Sequence, residues 1–133
     1  MTVIRAATLC LVGLLAGAPA LAQGSADAGN YPNRTIRVIV PFPAGGPADT
    51  IARFIGQRIS EDWKQTVVIE NRPGGNTAIA AQQVARAAPD GYTLFIPMDT
   101  TMVLNPLTTR NLPYDPVKDF VPITMLTKNV SLI

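Results

Sequence analysis

Ile36-Arg37-Val38-Ile39-Val40-Pro41-Phe42-Pro43-Ala44-Gly45-Gly46-Pro47-Ala48-Asp49 decides the fold. A short β-branched run closed by Pro41 reads as a buried strand over Ile36 to Val40. Phe42 to Pro47 holds two Gly and two Pro and must be a loop. From Ala48 to Ser60, Ile51, Phe54, Ile55 and Ile59 recur at helical spacing, with Arg53, Gln57 and Arg58 on the opposite side. The same unit then repeats. Thr66 to Glu70 is a second strand, Arg72 to Asn76 a Gly-containing loop, and Thr77 to Ala88 an Ala-rich helix with Ile79 and Val84 inward. Pro89-Asp90-Gly91 ends that helix, and Tyr92 to Ile96 is a third strand. Alternating strands and helices with short loops specify an α/β fold with a mostly parallel sheet and right-handed crossovers. Ligands of such sheets bind outside the carboxyl ends of the strands, where Phe42–Pro47, Asn71–Asn76 and Pro97–Thr101 emerge. Beyond Thr101 the periodicity weakens, through the turn-rich Leu112-Pro113-Tyr114-Asp115-Pro116 and an apolar stretch that stops on Val130-Ser131-Leu132-Ile133 as if truncated.

Upstream, residues 1–22 read as an export signal. Arg5 supplies positive charge, Ala6 to Leu15 an apolar core, and Ala20-Leu21-Ala22 a small-x-small site before Gln23. The apolar core is about half the roughly 20 residues a membrane span needs. A membrane anchor is therefore the weaker reading, and so is a lipoprotein, because Cys10 lies mid-core behind the bulky Leu9. Residues 23–30 are small and polar, a flexible lead-in. Composition removes whole classes of function. The 133 residues include no His and one Cys, so imidazole triads, Cys-His pairs and thiolate metal clusters are excluded. A net charge of +2 without a basic run gives no nucleic-acid footprint.

The loops carry the remaining chemistry. Gly45 and Gly46 permit unusual backbone angles and close ligand approach. The helix that follows offers free N–H groups and a positive dipole end to a carboxylate or phosphate. Pro47 fits its first turn and Asp49 is placed to cap backbone amides. No Lys follows the glycines, and the G-x-G-x-x-G pattern is absent. A plain tight turn with a capping Asp fits the generic pattern equally well. In the second loop Arg72 is placed to pair with a carboxylate, although a locally bonded Arg in a Pro-Gly turn is the simpler account. In the third, Asp99, Thr100 and Thr101 offer a carboxylate and two hydroxyls, for a ligand or for capping. Trp63 and the tyrosines read as packing residues.

Taken in order, Tyr31-Pro32, Val40 to Asp49, Glu70-Asn71-Arg72-Pro73-Gly74, Ala87-Ala88-Pro89-Asp90-Gly91-Tyr92-Thr93-Leu94, Asn105-Pro106 and Leu112 to Pro116 resemble the Bug extracytoplasmic solute receptors. These are the binding proteins of tripartite tricarboxylate transporters. The resemblance runs from about Tyr31 to Ile133. It implies a type II periplasmic binding protein whose two α/β lobes close over a ligand, with residues 31–125 as the first part of lobe one and 126–133 as the start of a crossover to lobe two. The implied function is periplasmic capture of a small carboxylated solute and its delivery to the transporter's membrane components, with no cofactor, metal or catalytic residue. The implied site is Phe42, Ala44, Gly45 and Gly46 through backbone amides, with Asp49 beside them, and Asp99, Thr100 and Thr101 in the third loop. Asp99 departs from the family's neutral residue there, and Thr77, Ala78 and Ala80 depart from its Gly-rich second loop. Two other readings stand beside this one. One is a receptor that presents its ligand to a signalling system. The other is a small exported α/β hydrolase-like enzyme, disfavoured by the missing His and the missing G-x-S-x-G elbow.

Overall fold

The computed structural model describes residues 28–128, so the expected leader and the last five residues lie outside the described residues. Strands β1 (Ile36–Val40), β2 (Val67–Asn71) and β3 (Thr93–Phe95) form a parallel sheet in the order β2-β1-β3. Helix α1 (Pro47–Trp63) joins β1 to β2, and α2 (Ala78–Ala85) joins β2 to β3. Each strand begins or ends within about a residue of its sequence expectation. The α/β class and the parallel sheet are as the sequence predicts. Val38 lies beside Ile69 on one neighbour and Leu94 on the other, and the backbone of Arg72 and Ile96 extends both pairings beyond the strands.

The central strand carries the core. Ile36, Ile39 and Val40 are fully buried and Val38 nearly so. Each such side chain contributes about 1.5–3 kcal/mol of burial. Because the chain steps from β1 to β2 and then back across β1 to β3, right-handed connections put α1 and α2 on opposite faces of the sheet.

The helix faces differ from the expected ones. In α1 the buried positions are Asp49, Ala52 and Gly56, while Phe54 is 75% exposed. The apolar stripe marks only part of the contact face, because α1 approaches the sheet through small residues. A Cβ built on Gly56 would lie 3.0 Å from Ile69 Cδ1 and 3.2 Å from Val67 Cγ1. Likewise α2 ends at Ala85 rather than Ala88 and buries Ala80 and Ala81, leaving Ile79 54% exposed. Ile79 leans back over the Gly74–Gly75 turn instead of entering the core.

Two further elements stand where no helix is expected. Ala28–Asn30, placed in the flexible lead-in, forms a 3-10 turn. Thr100–Leu104 forms a π-helical turn that runs into a short helix α3 (Asn105–Thr108), with the Asn105 amide donating to the Thr100 carbonyl. The chain then folds back so that Phe120 stacks on Phe95 at 5.7 Å and meets Tyr114 edge-on. Near the opposite ends of the strands, Tyr31 packs edge-on against both Trp63 and Tyr92, the packing role read for them. No helix among the described residues is long and apolar enough to cross a membrane.

Candidate functional site

The point where the strand order reverses lies at β1, so the crevice between β1 and β3 is where an open α/β sheet receives a ligand. The loops leaving those strands are the first and third. In the first, Gly45 has φ +84°, a left-handed conformation that glycine adopts at low cost and a residue with a side chain does not. Gly46 sits at φ −79° as the residue that opens α1, with Pro47 in the first turn. Ala44 and Gly45 are exposed, and Phe42 and Gly46 are half-buried.

Asp49 does not face outward. It is 3% exposed and is held by three donors. Its Oδ2 accepts from the Gly45 amide at 2.8 Å and from Arg53 Nε at 2.9 Å, and its Oδ1 accepts from Asn71 Nδ2 at 2.9 Å. Asn71 Nδ2 also donates to the Phe42 carbonyl at 3.0 Å, and Arg53 donates to Asn71 Oδ1 at 3.2 Å. The Arg53 guanidinium, then the Gly45 amide and Asn71, hold the Asp49 carboxyl far below the usual carboxylate range. The expected capping role is met by a bond back to Gly45. That bond also consumes the Gly45 N–H, one of the amides expected to face the ligand. The amides of Ala44, Ala48 and Asp49 have no partner among the described residues, whereas that of Gly46 closes the turn over Ala44 and Gly45 toward the Pro43 carbonyl.

The third loop divides at Thr100. Asp99 is exposed and its Oδ1 accepts from the Thr100 amide at 2.9 Å. Thr101, read from sequence as a ligand contact, is fully buried. Its hydroxyl donates to Thr77 Oγ1 at 2.8 Å, and its carbonyl accepts from the Tyr114 hydroxyl. The π-helical turn aims Thr101 and Asn105 inward together. Asn105, 1% exposed, donates through Nδ2 to the Asn76 carbonyl at 2.6 Å and accepts at Oδ1 from the Asn76 side chain. Asn76 and Thr77 both hold left-handed backbone, φ 50° and 72°. Thr77, Thr101, Asn105 and Tyr114 thus form an interior polar hub joining the second loop to the third. Asn105 and Tyr114 carried no chemical reading in the sequence beyond the segments of the resemblance. For Asn105 the signal was a polar residue in an apolar stretch, whereas Tyr114 stands in a turn-rich one.

In the second loop Arg72 bonds Glu70 at 3.2 Å, and Arg37 bonds the same carboxylate at 2.6 Å, so the local pairing holds. Among the described residues no group of three acidic or thiol side chains is placed to hold a metal ion.

Residues 51–133 match the family model described as tripartite tricarboxylate transporter family receptor. The chain belongs to that family. It is 36% identical over 124 residues to protein BugT of Bordetella pertussis, an alignment that covers 89% of this chain and 36% of BugT. Among solved structures it is similar to the periplasmic binding protein BugD, with a TM-score of 0.65, 39% identity, and coverage of 70% of this chain and 31% of that one. It is also similar to MatC of Rhodopseudomonas palustris, solved with bound malate, with a TM-score of 0.68, 42% identity, and coverage of 72% and 33%. BugT and BugD carry the Bug name, and the α/β fold class read from the alternating strands and helices is the one shared with these structures. The chain spans about a third of the length of the curated relatives it matches.

Proposed function

We propose that this chain supplies one wall of a periplasmic receptor that captures a small dicarboxylate and delivers it to the membrane components of a tripartite tricarboxylate transporter. The observation that carries the reading is the first loop. Three amides without partners around the first turn of a 17-residue helix make an anion seat, and the one acidic side chain of that turn, Asp49, is directed inward and paired with Arg53. Phe42, Ala44, Gly45 and Gly46 line the cradle, Ala44 with a free amide and Gly45 with its amide turned to Asp49. Asp99 and Thr100 flank it from the neighbouring strand, while Asp49 and Thr101 act from behind. In this reading residues 31–125 build the first part of one lobe and 126–133 lead toward a second. Export follows cleavage between Ala22 and Gln23. Asp99 biases the ligand toward a dicarboxylate bearing a hydroxyl or amino group, since such a group can donate a hydrogen bond to its carboxylate. Malate, which MatC holds, has such a hydroxyl.

Calorimetry on the complete polypeptide that carries this chain tests the proposal. Malate should bind, succinamide should not, and Asp99→Asn should narrow the preference for malate over succinate. Absence of binding to every dicarboxylate of three to six carbons would overturn it.

A further inference from the structure

We infer that Arg53 and Asn71 are positioning residues for anion capture, keeping the Asp49 carboxylate charge-paired and turned inward so that the first loop presents amides and no carboxylate. The inference rests on the anion-seat reading of that loop and deepens it. An Arg–Asp pair four residues apart on a helix is ordinarily a surface contact of little consequence. This one differs in its connections. The Asp49 side chain is 4% exposed, and its donors come from three parts of the chain: the loop backbone, α1 and the end of β2. Asn71 spends both amide hydrogens on the first loop, one on Asp49 and one on the Phe42 carbonyl, while its oxygen takes a hydrogen from Arg53. Asp49, Arg53 and Asn71 therefore close a ring. Phe42 and Gly45, near the two ends of the loop, are both fastened to it.

The ring has an electrostatic side and a steric side, and the two residues divide them. Arg53 supplies the only cation bonded to Asp49 among the described residues. Without it, a carboxylate beside the anion seat would oppose a ligand in proportion to the ligand's charge. Asn71 carries no charge and fixes only the loop's path. Loss of Asn71 should affect ligands of equal shape alike. Loss of the Arg53 charge should discriminate between them.

Malate and malate monoamide, matched in shape and differing by one charge, separate these effects in calorimetry on the complete polypeptide. Arg53→Gln should weaken malate roughly tenfold and the monoamide at least threefold less, whereas Arg53→Lys should restore most of the malate affinity. Asn71→Ala should weaken both ligands several-fold by the same factor. A purely structural staple would instead lower the thermal midpoint and reduce both affinities equally in Arg53→Gln, with no rescue by Lys, and that result overturns the inference. So does an Arg53→Gln protein that binds both ligands like wild type. If Arg53→Gln does not fold, unchanged malate binding by Asn71→Ala is the overturning result. A wild type that binds no dicarboxylate overturns the anion-seat reading as well, whereas a binding wild type with indifferent variants overturns this inference alone.

Discussion

Gly45 and Gly46 are adjacent and chemically identical, yet they face different constraints. Gly45 holds φ +84° with no atom near the position of a Cβ, so a side chain there meets backbone strain and nothing else. Gly46 holds extended backbone, and its Cβ would meet the Pro43 carbonyl at an ordinary 3.5 Å. Gly45→Ala is therefore expected to cost about 1–2 kcal/mol, the usual penalty for a left-handed L-residue. Gly46→Ala should stay within about 0.5 kcal/mol. Urea unfolding of the two variants checks the order, and equal costs would contradict it. The sequence marks the pair as a place where glycine is needed but does not say which one needs it. That depends on the bond from the Gly45 amide to Asp49, a partner that lies in the first turn of α1.

Elements were legible where periodicity and burial coincide. The central strand is β-branched and buried at four of its five positions, and both signals point the same way. The α1 contact face was not legible, because Ala52 and Gly56 pack the helix on the sheet through the absence of side chain, which a hydrophobic pattern does not register. The helical segment from Thr100 to Thr108 was missed for another reason. Its inward face is polar, so it carries no apolar stripe and depends on the hub formed with Asn76, Thr77 and Tyr114. That dependence is testable. Asn105→Ala leaves the Asn76 carbonyl without its partner and should cost about 1–3 kcal/mol. It should also speed hydrogen exchange at Asn76 and Thr77 more than in β1. Uniform exchange across the domain would argue that the hub is not what joins the two loops.

At the scale of the whole molecule, charge pairing sets the response to acid. Asp49, Glu70, Asp90 and Asp115 all titrate below their ordinary range, each held down by hydrogen bonds from Arg side chains or backbone amides. The unfolded chain, whose carboxyls titrate near about 4, then binds more protons than the folded one as the pH drops. Stability from these groups is present in full above about pH 5 and is lost as the pH falls through 4 toward the folded-state values. Thermal midpoints by circular dichroism from pH 7 down to pH 3 should be level at first and then decline. A midpoint that held or rose on acidification would sink this account. Arg37 and Arg53, pushed up further by the carboxylates they bond, stay protonated throughout this range and do not enter.

The π-helical turn at Thr100–Leu104 has a bearing on how such a site diversifies. Its Asn105-to-Thr100 bond accommodates one residue more than an α-helical turn. Removing a residue from that turn would rotate everything before it by about 100° relative to Asn105, and Thr101 would swing out of register with Thr77. Asp99 and Thr100 lie at the outer rim, where a change of side chain leaves those interior bonds intact. Variation in what the third loop contacts is thus open to substitution and closed to insertion or deletion. Two descendants of one ancestral gene would differ there in spelling and agree in length.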